Sequence, residues 1–368
     1  MPHSLSLAAS ATGLAAALVL ACSDTSDPSV TPSAPPDQAA AAASAGPTLT
    51  PQHSGTTNRL QAVSPVNASV VWASGVGGTF TVTTNGGRTW RAGVVPGADE
   101  LQFRDVEGVS ADVAYLLASG PGTASRIYKT TDGGQHWTIQ FRNTRPNGFY
   151  DCFAFWTPNR GITMADALFN RFPVIRTTDG KTWQSIAGRM PPAQDGEAAF
   201  AASGTCVATQ GSQLAWIGTG GAKKARILRT ADGGDSWEAF ETPIVQGTGA
   251  SGIFTVEFRD AQNGILAGGD LENSGHTPNV AVSSDGGRHW KLATGTPFPG
   301  AAYGLSYVHG SRTRTVVATG PGGAAWSDDE GESWHRLPAT TDFWAVAFAN
   351  PSAGWLVGTE GRIVKVSF

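Results

Sequence analysis

The chain has 368 residues, of which 47 are Gly and 22 Pro, together about 19% against roughly 12% in average usage, so turns must be frequent. Only 15% of residues are charged while Trp reaches 12, a balance that lacks the Lys, Glu and Leu of long surface helices and argues against a helical protein. The net charge of −4 falls to −1 once residues 1–58, with Asp24, Asp27 and Asp37 but no Lys or Arg, are set aside. That near-neutral remainder excludes an electrostatic nucleic-acid binder.

Residues 4–21 are small and apolar, ending in Leu14-Ala15-Ala16-Ala17-Leu18-Val19-Leu20-Ala21 before Cys22. The run is too short to span a bilayer and fits a leader instead. Small residues before a Cys, followed by Ser23-Asp24-Thr25-Ser26-Asp27, resemble a bacterial lipoprotein signal, which implies a lipid on Cys22 and a membrane anchor. The n-region offers His3 and no Lys or Arg, so an ordinary secretory signal cut nearby stays open. Both readings export the protein. Residues 23–47 carry no apolar periodicity and read as a disordered tether.

From residue 48 the chain repeats. Six copies of one motif occur: Thr83-Thr84-Asn85-Gly86-Gly87-Arg88-Thr89-Trp90, Thr130-Thr131-Asp132-Gly133-Gly134-Gln135-His136-Trp137, Thr177-Thr178-Asp179-Gly180-Lys181-Thr182-Trp183, Thr230-Ala231-Asp232-Gly233-Gly234-Asp235-Ser236-Trp237, Ser283-Ser284-Asp285-Gly286-Gly287-Arg288-His289-Trp290 and Ser327-Asp328-Asp329-Glu330-Gly331-Glu332-Ser333-Trp334. Successive Trp residues lie 47, 46, 54, 53 and 44 positions apart. Units of this length suit four short strands each, the blade of a propeller. The motif is a hairpin turn, with an acid accepting turn amides, Gly at positive φ and a Trp anchoring the returning strand. His136 and His289, next to the Trp, read as packing residues. Two copies depart: Asn85 replaces Asp, and the third is one residue short, so those turns should differ locally.

Upstream of each copy runs an alternating strand and then a small-residue strand, as in Phe343 to Phe348 and Gly354 to Gly358. Unit starts fall near Leu60, Phe103, Phe149, Gly204, Phe254, Tyr303 and Phe343, which makes seven. The last unit stops at Ile363 to Phe368 without its fourth strand. Leu49 to His53 has the position to supply it, closing the ring end to end. The expected fold is all-β, a seven-bladed propeller over residues 48–368.

The motif resembles the BNR or Asp-box repeat of sialidase-like propellers. Ser54-Gly55-Thr56-Thr57 and Ala353-Gly354-Trp355-Leu356-Val357-Gly358 resemble the photosystem II stability/assembly factor type within it. The resemblance implies a non-enzymatic platform that binds a protein partner, here an envelope or membrane complex. Asn85, Asp132, Asp179, Asp232, Asp285 and Asp329, with Trp90, Trp137, Trp183, Trp237, Trp290 and Trp334, are then structural.

The motif turns join strands three and four of each blade, so the longer loops of the opposite face are the place for function. There we take Arg142, Arg145, Tyr150, Asp151, Asp166, Arg171, Glu197 and Asp270 as the partner or ligand face, with Asn170, Asp195, Lys223, Lys224, Glu272 and His276 in the same loops. One position aligns in every blade: Ala62, Asp105, Cys152, Cys206, Thr255, Gly304 and Ala345. It is small except at Asp105, which, like Glu107 and Glu257, must be paired or face the channel, pairing being the expectation. Cys152 and Cys206 share this position in adjacent blades, so their side chains should point the same way around the ring, which argues against a disulfide.

Sialidase-like hydrolysis is the alternative, with Arg142, Arg145 and Arg171 holding an acid, or a glycan, near Tyr150 and Glu197. The Phe/Tyr-Arg-Ile-Pro string such enzymes resemble one another in is absent; Phe103-Arg104-Asp105-Val106 fails at two places. Oxidoreductase chemistry is weaker, since no Gly-x-Gly-x-x-Gly opens a helix. No motif asks for a cofactor, and no metal-ligand spacing occurs. Asn67-Ala68-Ser69 reads as a turn.

Overall fold

The computed structural model describes residues 46–275 and 278–368. Cys22, the leader over 1–22, the tether up to residue 45 and His276 lie outside the described residues.

Seven four-stranded antiparallel sheets stand in a ring, each a blade. In six blades the strands follow one another from the inside outward, beginning at Leu60–Pro65, Phe103–Gly108, Tyr150–Thr157, Val207–Gln210, Ser251–Phe258 and Gly304–Tyr307. Blade seven starts at Phe343–Asn350 and takes its outermost strand from the other end of the chain. Thr48–His53 pairs antiparallel with Arg362–Ser367, in the register Thr48 to Ser367 and His53 to Arg362. The expected closure is therefore observed, and it gives Arg362–Ser367 a paired neighbour on each side.

Small residues on the inner strands let neighbouring blades approach, and large ones fill the wedge that widens outward. Seven apolar clusters result, one between each pair of neighbours. Several second-strand aromatics cross such an interface: Trp72 Nε1 donates to Ser110 O at 2.8 Å, and Trp216 Nε1 donates to Gly286 O at 2.8 Å. Trp355 closes the circuit by donating to Gln52 Oε1, which also accepts from Trp90 Nε1.

The six motif turns sit between strands three and four as expected. In the second, Asp132 Oδ1 accepts from Thr130 Oγ1 and from His136 N, and Gly134 N donates to Thr130 Oγ1. His136 and His289 do not pack: both are exposed and engage the turn acid, Nδ1 to Oδ2 at 2.6 Å. Two bonds from His136, backbone then imidazole, hold Asp132 down at about 2. Asn85 keeps the acceptor role through Oδ1 and donates from Nδ2 to Thr89 Oγ1. The short third copy differs as predicted, with Asp179 Oδ1 accepting from Lys181 N and Thr182 N and one Gly at positive φ.

Five inner strands share a feature that the periodicity hid. A β-bulge precedes the aligned small position in blades one, two, three, five and seven, leaving Gln61, Arg104, Asp151, Phe254 and Trp344 unpaired in the ladder. A bulged residue is turned out of register and re-aimed.

Candidate partner-binding face

The acidic-turn face is spent on its own hydrogen bonds, so the opposite face is the one to build. Its blade-three region is shaped by the loop after the strand Arg160–Ala165. Leu168 and Arg171 pair N–H to O in both directions, closing a two-residue turn with Phe169 and Asn170 at φ 51° and 66°. Such a turn favours Asn and Gly; a Phe there is strained. Phe169 is nevertheless 95% exposed.

Beside this turn lies a groove of about 510 Å³, lined among others by Arg142, Arg145, Tyr150, Phe169, Arg171 and Trp183. Four of the eight residues expected to form the partner face therefore meet. The three arginines are exposed, and none forms an ion pair with a described residue. Tyr150 forms the floor, its ring edge-on to Phe141 at 5.0 Å, and burial pushes its hydroxyl up to about 12.

The other four do different work. Asp151 is buried and Asp166 half-buried: burial, then the Asp166 charge, drive Asp151 well above the usual range, and burial lifts Asp166 to about 6. A neutral Asp151 avoids an unpaired buried charge. Glu197 is engaged inside the fold. It is 1% exposed, accepts from Arg226 Nε at 2.9 Å, Thr219 Oγ1 at 2.6 Å and Gln194 N at 2.8 Å, and so fixes the loop into blade four. Asp270 caps its own turn by accepting from Glu272 N.

Toward the axis, blade four begins late. Residues Phe200 to Thr205 cross the channel mouth as a plug before the strand Val207–Gln210 starts. Arg104 Nη1, from blade two, donates to Ala201 O at 3.1 Å, and Ser203 Oγ donates to Tyr303 O of blade six at 2.7 Å. Gly204, at φ 79°, lies where a Cβ would overlap the Asp105 carboxylate. Below the plug is the axial cavity, about 340 Å³, lined in part by Asp105, Glu107 and Glu257. Two of these acids are paired as expected: Asp105 Oδ2 accepts from Phe153 N at 2.7 Å, and Glu257 accepts from Tyr307 N and contacts His309 Nε2 at 3.0 Å. Glu107 faces the cavity, and burial raises it to about 7.

The plug also breaks the equivalence on which the cysteine argument rested. Cys152 follows a bulge, whereas Cys206 precedes its strand in irregular chain. Their side chains meet, and Cys152 and Cys206 are disulfide-bonded with a Cα–Cα distance of 5.9 Å. The expectation of free thiols is thereby overturned.

Above the plug, an arc of rings runs around half of the mouth. Phe200 lies 4.2 Å from Phe254, Phe254 5.9 Å from Tyr303, and Tyr303 5.0 Å from Trp344, with the Arg59 guanidinium 4.4 Å over Trp344. Sequence reasoning missed Arg59, Gln61, Phe169 and this arc. The signal for three of the rings was present, since Phe254, Tyr303 and Trp344 each stand one residue before the aligned small position.

No family model matches this sequence, and no curated protein matches it. Among solved structures the chain is similar to YCF48 bound to a D1 peptide, at 17% identity with a TM-score of 0.59, over 87% of this chain and 97% of that one. It is also similar to YCF48 from Cyanidioschyzon merolae, at 16% identity and a TM-score of 0.62, over 88% and 99% of the two chains. The WD40 β-propeller domain of Doa1 aligns at 14% identity and a TM-score of 0.56, over 88% and 97%. At such identities the likeness speaks for the fold alone, a β-propeller.

Proposed function

We propose that the chain is a protein-binding platform, exported and held to a membrane by a lipid on Cys22, that grips a segment of a partner from an envelope or membrane complex. In this reading the six turns are BNR/Asp-box repeats, and the likeness to photosystem II stability/assembly factors extends to the manner of action, a rigid disc presenting loops. The observation that carries it is the blade-three groove: a fully exposed Phe169 held on a strained turn beside three arginines without acidic partners. Exposed aromatics and Arg are the residues that dominate protein interfaces, and backbone strain persists where the surroundings or a function maintain it. The YCF48 structure with a bound D1 peptide supports peptide capture as a use of this fold. The glycan-hydrolase alternative loses support because Glu197, the acid that would accompany Tyr150, is committed to Arg226.

The test is a pull-down from detergent-solubilised membranes with the full-length protein, the Phe169→Asn variant and the Arg142→Ala, Arg145→Ala, Arg171→Ala triple variant. A protein recovered by the wild type and lost from both variants supports the reading. Equal recovery by all three, or none by any, overturns it.

A further inference from the structure

The channel mouth carries a second arrangement, separate from the groove. Arg104 uses Nε and Nη2 on Gln102 Oε1, at 3.2 and 2.9 Å, and one Nη1 proton on Ala201 O. That leaves one N–H on each terminal nitrogen. Arg59 Nε is buried without a hydrogen-bond partner, and so are both side-chain polar atoms of Gln61, whose residue is 0% exposed. Neither guanidinium forms an ion pair with a described residue. Burial and the Arg59 charge lower the pKa of Arg104, while the Asp151 charge acts the other way. Asp151, driven toward its neutral form by burial and Asp166, is a poor counterion. Two partly buried cations in each other's field favour an anion nearby.

Beside Arg104 lies a cavity of about 120 Å³, bounded by Arg104, Leu271 and the rings of Phe200, Phe254, Tyr303 and Trp344, the last of which carries the Arg59 guanidinium over its ring. A water occupies about 30 Å³ of liquid, so the cavity holds about four such groups. One wall is charged and the rest is hydrocarbon. A phosphate would meet too few donors there, whereas a carboxylate matches the planar fork of a guanidinium and brings one short chain for the rings.

We propose that the mouth binds a small apolar carboxylate, its oxygens on Arg104 and its short branched chain against the arc of rings. The same chemistry is offered by a free short-chain acid and by the C-terminal residue of a polypeptide. The inference does not depend on the groove or on the platform reading.

The experiment is isothermal titration of the full chain with 4-methylpentanoate, with the peptide acid acetyl-Gly-Gly-Leu, and with the amides of both. The acids bind about tenfold or more tightly than their amides, as expected when a charged hydrogen-bonded group is lost. Comparable binding of both acids identifies a free acid as the ligand class; binding of the peptide acid alone identifies a chain terminus. Arg104→Gln weakens binding about tenfold. Leu271→Glu, at a 53% exposed rim position where the fold is not at risk, abolishes it, and Arg142→Gln in the groove leaves it unchanged. No binding of either acid at 10 mM, amides within threefold of acids, or unchanged affinity in Leu271→Glu overturns the proposal.

Discussion

Phe169 occupies a backbone conformation that Asn adopts at little cost, and its ring touches solvent over 95% of its surface. Strain of this kind is worth roughly 1–3 kcal/mol. Phe169→Asn should therefore raise stability by about 1 kcal/mol in denaturant titration while weakening partner capture. An unchanged or lowered stability would mean that the turn is held for packing. Glu107 makes a pH-dependent prediction. Its folded value of about 7, raised by burial from 4.5, means that between these pH values the folded chain retains a proton that the unfolded chain has released. Stability then falls as pH rises from about 4.5 to 7. Glu107→Gln removes that decline and is the more stable protein at pH 7.5, as thermal melts across the range will report. Asp132 has the opposite sign, with its contribution lost as pH falls from about 4 toward 2. The turn acids, their glycines and tryptophans were legible in the sequence because each turn is local. Glu197 was not, since Arg226 and Thr219 lie 29 and 22 positions away.

At the level of elements, the bulges and the plug explain what strand periodicity could and could not say. Alternation located every inner strand to within a few residues, because side chains must alternate between channel and interface. A bulge adds one residue without disturbing the average pattern, so Gln61, Arg104, Asp151, Phe254 and Trp344 were invisible as a set. The plug was invisible as well, because Ala201, Ala202, Ser203 and Gly204 read as an ordinary small-residue entry to blade four. Its bond between Cys152 and Cys206 closes a loop of 54 residues, a span for which a disulfide contributes roughly 2–4 kcal/mol. The Cys152→Ala, Cys206→Ala double variant should lose about that much in guanidinium titration. Gly204→Ala, forced against the Asp105 carboxylate at positive φ, should destabilise by about 1–3 kcal/mol. If it melts like the wild type, the plug is free to shift.

The whole ring depends on pairing the two ends of the folded chain. Removing residues 362–368 takes away the third strand of blade seven and leaves Thr48–His53 with no partner. This truncation should abolish the cooperative melt and produce oligomers by size-exclusion chromatography, since exposed strand edges recruit other chains. Closure could be read from sequence by counting, because the seventh unit lacked a strand and a spare strand preceded the first. The blade-three groove could be read only in part: loop lengths pointed to its face, but the turn that displays Phe169 depends on backbone geometry. The pairing also orders events in time. Of the strands in the fold Thr48–His53 is made first and its partner Arg362–Ser367 after all the others, so six blades can be complete while the ring is still an arc. The final join is made only once Arg362–Ser367 is free to pair, and until then the first strand must wait.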